Sequence, residues 1–131
     1  MPFKYYILQK RSLFEKFDCS NKIVFIGDSL TDGCEWNELL ERTDIVNRGI
    51  NSDTTDGILN RLNGCLLQKP KGIFITVGTN DIYRGVSMAT IQSNYAEIIK
   101  NISDLHIPLF VQSTLYINFL IGMWSMKKLP S

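Results

Sequence analysis

The stretch Ile23-Val24-Phe25-Ile26-Gly27-Asp28-Ser29-Leu30-Thr31-Asp32-Gly33 restricts the fold more than any other part of the chain. A short apolar, largely β-branched run ends in Gly-Asp-Ser, and a helix-like segment follows. This is the pattern of a buried strand that delivers a serine into a tight turn at its carboxyl end. Ile73 to Val77 is a second continuous apolar run, suited to burial on both faces, and it closes in Gly78-Thr79-Asn80-Asp81. In an open α/β sheet, ligands and reacting groups collect at the carboxyl ends of the strands.

The rest of the chain alternates around these runs. Tyr5 to Phe17 has the spacing of an amphipathic helix, with Asp18-Cys19-Ser20-Asn21 as its exit turn. The first strand is Lys22 to Gly27, and Glu35 to Arg42 is a short helix packing Trp36, Leu39 and Leu40. Ile45-Val46-Asn47-Arg48 is a second strand, running into the polar loop Gly49 to Thr55. Asp56 to Leu67 is a helix with Ile58, Leu59, Leu62, Leu66 and Leu67 inward. After the third strand, Ser87 to Leu105 is a helix carrying Met88, Ile91, Tyr95, Ile98, Ile99 and Ile102 inward, and Pro108 to Thr114 is a fourth strand. Strand and helix in alternation, with no internal repeat and no linker, predict one three-layer α/β/α domain around a parallel sheet.

Bulk properties remove several function classes. A chain of 131 residues is one domain by size. Its net charge of +1 gives no electrostatic case for nucleic acid or an anionic membrane as partner. Cys19, Cys34 and Cys65 form no CxxC pair and are odd in number, which argues against a disulfide framework and a zinc site and favours a reducing compartment. Met1 to Lys10 lacks the features of a signal peptide, so a cytoplasmic location is expected. Leu109 to Met126 is apolar but interrupted by Gln112, Ser113, Thr114, Asn118 and Ser125, too often for a membrane span. Gly27 to Gly33 has neither the P-loop spacing nor GxGxxG, and Asn51 to Gly57 lacks the acidic spacing of a calcium loop.

Three strand ends carry chemistry-bearing residues: Ser29 after the first, Gly49 after the second and Asn80 after the third. Acyl transfer needs a nucleophile and donors for the oxyanion formed on attack. The Ser29 hydroxyl supplies the first; its own N–H, the Gly49 N–H and the Asn80 carboxamide supply the second. Glycine at 49 would let substrate approach bare backbone. Taken singly, each has an ordinary structural explanation: a common turn, a loop glycine, a helix cap. Their occurrence in order, each closing a parallel strand, favours a site.

Gly27-Asp28-Ser29-Leu30 with Thr31-Asp32-Gly33, then Asn47-Arg48-Gly49, then Gly78-Thr79-Asn80-Asp81, resemble the first three sequence blocks of the GDSL, or SGNH, hydrolases. The likeness extends over most of Tyr5 to Asn118 and is to the small bacterial acylhydrolases related to the platelet-activating-factor acetylhydrolase subunits. It implies a flavodoxin-like fold and hydrolysis of small esters, often O-acetyl groups on sugars or lipids, without metal or organic cofactor. It also implies Ser29 as nucleophile, Gly49 and Asn80 as oxyanion-hole residues, and Asp28 and Asp81 as turn-stabilising neighbours.

The family's late Asp-x-x-His is not found. The single histidine, His106, precedes the fourth strand, at the sheet edge opposite Ser29, so it is expected to be a loop residue and not the base. Residues 1–118 therefore read as an incomplete family-like domain, lacking its last strand and C-terminal helix, and 119–131 as an apolar tail outside the family pattern. The expectation is a weakly active or inactive esterase, with the exposed edge of the fourth strand, or the tail, open to self-association. The alternative is a non-catalytic ligand-binding or oligomerisation module of the same fold.

Overall fold

The computed structural model describes residues 3–113. Its elements in chain order are α1 (Phe3–Lys16), β1 (Ile23–Gly27), α2 (Ser29–Asp32), α3 (Trp36–Leu39), β2 (Ile45–Gly49), α4 (Thr55–Leu67), β3 (Gly72–Thr76), α5 (Thr79–Tyr83), α6 (Met88–Ser103) and β4 (Leu109–Val111). The four strands are all parallel and lie in the order β2-β1-β3-β4. Chain direction across the sheet reverses between the steps β1 to β2 and β2 to β3, so a crevice opens at the carboxyl ends of β1 and β3, the switch point of such sheets.

Register follows from the side-chain period of two. Val24 pairs with Val46 and Ile73, and Ile26 with Arg48 and Ile75, so these share one face. That face holds the core: Val24, Ile26, Ile73 and Ile75 pack with Ile58, Leu62 and Leu66 of α4 and Ile91, Tyr95, Ile98 and Ile102 of α6. The apolar positions on both helices recur at three- and four-residue steps, which is why they bury one stripe each. Capping by Thr54, whose hydroxyl accepts from the Gly57 N–H at 3.1 Å, and by Ser87, which accepts from Thr90 N–H at 3.2 Å, fixes where the two helices start.

The opposite face carries aromatic residues. Trp36, Phe25, Phe74 and Phe110 form a continuous row, with ring centroids 4.7, 5.1 and 5.9 Å apart in turn. Among the described residues α2 and α3 cover the β1 and β2 end of this row, and Phe110 at its other end is exposed.

Several local expectations need correction. Helix α3 is only four residues long; Leu39 ends it and Leu40 caps it, and both are exposed instead of packed. Leu67 ends α4 on its solvent side, and Ile99 is on the outer half of α6. Strand β4 is three residues, with Phe110 and Val111 exposed. Cys19 is buried and Cys34 and Cys65 are half-buried, as small apolar residues should be. The residues from Thr114 onward, including the tail at 119–131, lie outside the described part.

Candidate active site

The turn after β1 is built by close packing. At Gly27 a Cβ would stand 2.2 Å from Thr31 Oγ1 and 2.5 Å from the Thr76 carbonyl oxygen; at Gly49 it would stand 2.3 Å from the Asp32 nitrogen. Both glycines let helix α2 lie directly on the ends of β1 and β2. Glycine at 49 is therefore required by the backbone of α2, a different reason from the approach of substrate. The Asn47 carboxamide locks this contact. Its Nδ2 donates to the Thr31, Asp32 and Cys34 carbonyls at 2.9, 3.3 and 3.3 Å, and Trp36 Nε1 donates to the Thr31 carbonyl at 2.8 Å.

Ser29 is the first residue of α2 and is exposed. Asp28 beneath it is buried, and its Oδ1 accepts from the Leu30 N–H at 3.1 Å, capping the helix. Burial raises the Asp28 carboxyl above its usual range, against the pull of that N–H. No hydrogen bond engages the Ser29 hydroxyl among the described residues. The Ser29 N–H, at the first position of the helix, is one the helix itself does not use.

Asn80 stands in the second position of α5. Its Nδ2 donates to the Asp53 carbonyl at 3.0 Å, so one of its two N–H groups ties it to the loop after β2. The Gly49 N–H donates to Asn47 Oδ1 at 2.8 Å. An incoming oxyanion would share that donor with Asn47. Asp81 is fully buried; its two oxygens accept from the Thr55 N–H at 3.0 Å and the Thr55 hydroxyl at 2.7 Å, and Asn94 Nδ2 donates to Thr55 Oγ1 at 2.9 Å. Ser29, Gly49 and Asn80 thus lie at the carboxyl ends of three neighbouring strands, and Asp28 and Asp81 are buried supports.

Residues that the sequence did not announce hold these ends together. Arg61 of α4 donates from Nε to Asp53 Oδ2 at 2.9 Å, from NH1 to the Arg48 carbonyl at 2.6 Å and from NH2 to the Gly27 carbonyl at 3.3 Å. One guanidinium so joins β1, β2 and the loop that carries Asn80's acceptor. The Tyr95 hydroxyl donates to the Val77 carbonyl and accepts from the Val77 N–H, fixing the exit of β3; burial pushes its phenol up to about 12. Lys10 of α1 closes the outer side by an ion pair with Asp32 at 2.7 Å. An arginine within a helical pattern reads as a solvated face, so only its neighbourhood in the fold shows its use. Asn47 lay in the second strand and the Asn47-Arg48-Gly49 block, and Asp53 in the polar loop Gly49 to Thr55, neither with assigned work.

His106 sits in the turn before β4, exposed, with φ +57°. Strand β1 is five residues long, about 15 Å at ~3.3 Å per residue, and His106 is at the end of the sheet opposite Ser29. Among the described residues no group of three or more His, Cys, Asp and Glu is arranged to hold a metal ion, and no helix is long and apolar enough to cross a membrane.

Comparison with known proteins fits this geometry. The sequence profile of the GDSL-like Lipase/Acylhydrolase family matches residues 25–127. The chain is 38% identical over 80 residues to the platelet-activating factor acetylhydrolase IB subunit alpha1 of Rattus norvegicus, a match covering 56% of this chain and 34% of that protein. The matched part is thus about one third of the relative's length. Among solved structures, it resembles AlinE4, an SGNH-hydrolase family esterase, with TM-score 0.65 and 27% identity over 72% of this chain and 59% of that one. The fold is also that of the psychrotrophic esterase EstA from Pseudoalteromonas sp., with TM-score 0.68 and 23% identity over 83% of this chain and 67% of that one.

Proposed function

The chain belongs to the GDSL-like lipase/acylhydrolase family, and from that premise we propose that it is built as a serine ester hydrolase with Ser29 as nucleophile. The substrate class is small carboxylic esters, with O-acetyl groups on sugars or lipids foremost. The Ser29 oxygen attacks the ester carbonyl. The oxyanion then takes hydrogen bonds from the Ser29 N–H, the Gly49 N–H and the Asn80 carboxamide, the alcohol leaves, and water later releases the acyl group. The observation that carries this reading is the exposed Ser29 hydroxyl on an otherwise buried, hydrogen-bonded turn at the switch point of the sheet. Asp28 and Asp81 support it by holding α2 and the α5 turn in place.

His106 is at the wrong end of the sheet to take the Ser29 proton, and no base touches Ser29 among the described residues. The 131-residue chain on its own is therefore expected to turn over slowly, because loss of the base costs on the order of 10⁴- to 10⁶-fold. The test uses p-nitrophenyl acetate with added imidazole as a diffusible base, and reads the difference between the native chain and Ser29→Ala. A Ser29-dependent rate that rises with imidazole, and an acetyl adduct of about 42 Da on the peptide holding Ser29, support the assignment. Equal rates in both chains and no adduct overturn it.

A second reading, self-association, is favoured by one observation: β4 pairs only with β3 among the described strands and leaves Phe110 exposed. Sedimentation velocity that finds a monomer at high concentration removes it.

A further inference from the structure

Away from the Ser29 turn, two thiols meet. Cys19, in the turn leading into β1, has its Sγ 3.7 Å from the Sγ of Cys65 on α4, with 46 residues of sequence separation. Both are free thiols. Gln68, one turn after Cys65, holds the arrangement: its Oε1 accepts from the Cys19 N–H at 2.9 Å and from the Cys19 thiol at 2.8 Å. Cys19 is closed off from solvent, whereas Cys65 lines a cavity of about 420 Å³ between α1 and α4, together with Phe14, Arg48, Arg61 and Gln68. A small oxidant can thus reach one sulfur while the other waits behind it.

We infer that Cys19 and Cys65 form a reversible dithiol–disulfide site whose oxidant is hydrogen peroxide. The Cys19 contact and burial push the Cys65 thiol up, so the step starts from the protonated thiol. Its sulfur attacks an oxygen of hydrogen peroxide as the thiol proton passes to the departing hydroxide, the O–O bond breaks, Cys65 becomes a sulfenic acid, and the first water leaves. The Cys19 sulfur then attacks the Cys65 sulfur, the S–O bond breaks, and the second water leaves with the Cys19 proton. Two thiols give up two electrons to one peroxide. Closing the gap from 3.7 Å to a bond of about 2.0 Å asks for side-chain rotation at half-buried Cys65 and in the turn at Cys19, gives up the Cys19 thiol's hydrogen bond to Gln68 and leaves the Cys19 N–H bond to Gln68 in place. The crosslink ties the amino end of β1 to α4, far from Ser29.

The test treats the whole chain with hydrogen peroxide, counts thiols after denaturation and maps the peptides without reduction. The expected result is a fall from three thiols to one, a Cys19–Cys65 linked peptide, Cys34 left free, and full recovery with dithiothreitol. The oxidised chain should melt on the order of 10 °C higher than the reduced one. Cys34→Ser should form the same link. Three surviving thiols, or oxidation that falls on Cys34 or on links between chains, overturn the inference. The peptide map is read on the native sequence, so it does not depend on a cysteine variant folding.

Discussion

The two ends of the sheet are made of different material. At the amino end each strand is entered through one left-handed residue: Asn21 before β1, Glu41 before β2, Lys69 before β3 and His106 before β4, all with φ between 50° and 57°. Main-chain bonds do much of the joining there, such as Asn21 N–H to the Lys69 carbonyl, Lys71 N–H to the Lys22 carbonyl and Ile73 N–H to the Pro108 carbonyl, with the partly exposed Lys71–Asp44 ion pair and the side chains of Asn37 and Gln68 beside them. At the carboxyl end the joining is done by long-range side-chain bonds, from buried Asp81 and Tyr95 and half-buried Asn47 and Arg61. Left-handed helix exits accept glycine, asparagine or, at modest cost, other residues. Buried polar side chains are costly to change, because each removal leaves a partner unsatisfied. An end wired in the second way is suited to hold an exposed serine in a fixed direction.

The largest test of this contrast is Arg61→Ala. It leaves Asp53 without its cation, with only the Thr54 N–H on its carboxylate, in a pair whose two side chains are only 12% and 11% exposed, and should destabilise the fold by about 3–5 kcal/mol in urea denaturation. A cost below ~1 kcal/mol would show that the carboxyl end does not depend on side-chain wiring. Next is Asn80→Ala. It should lower the Ser29-dependent, imidazole-assisted esterase rate by about 10²- to 10³-fold if the carboxamide stabilises the oxyanion. Thermal melting should move far less, since Asp53 loses only one donor to a carbonyl that is half-exposed.

Tyr95 gives a pH test of similar sign logic. The folded chain keeps the phenol proton up to about 12, whereas the unfolded chain releases it near 10. The folded state then binds more protons in that interval, so the Tyr95 contribution is constant below about pH 10 and is lost as pH rises toward 12. The loss should amount to about 2–3 kcal/mol. Urea midpoints for the native chain and Tyr95→Phe, compared at each pH, should converge across this window. Curves that stay parallel would remove Tyr95 from the wiring. The smallest effect belongs to the amino end: His106→Gly should change stability by no more than about 1 kcal/mol and leave the esterase rate unchanged. A large loss of rate would break the contrast between the two ends.

What the sequence made legible divides along the same line. The strands and the serine turn follow from local period and from Gly-Asp-Ser, so β1, β2 and β3 could be read within a residue or two. The wiring could not. Arg61 reaches carbonyls 13 and 34 residues away, and Thr55 meets Asp81 across 26 residues; such contacts leave no periodic trace. Exposure of Leu39, Leu40 and Leu67 escaped for the opposite reason: apolar type suggests burial, but helix length and phase decide it. His106 was legible from topology alone, since the edge on which a residue enters a parallel strand is fixed by its place in the chain.

Trp36 is joined to the serine turn twice over, through its indole N–H on the Thr31 carbonyl and its ring against Phe25. Its fluorescence is consequently a gauge fitted to helix α2. With Trp124→Phe as the only other change to the two tryptophans, any ligand or substitution that lifts the Ser29 turn from the sheet should shift the emission to longer wavelength. Occupancy of the site can then be followed by light, whether or not an ester is ever cleaved.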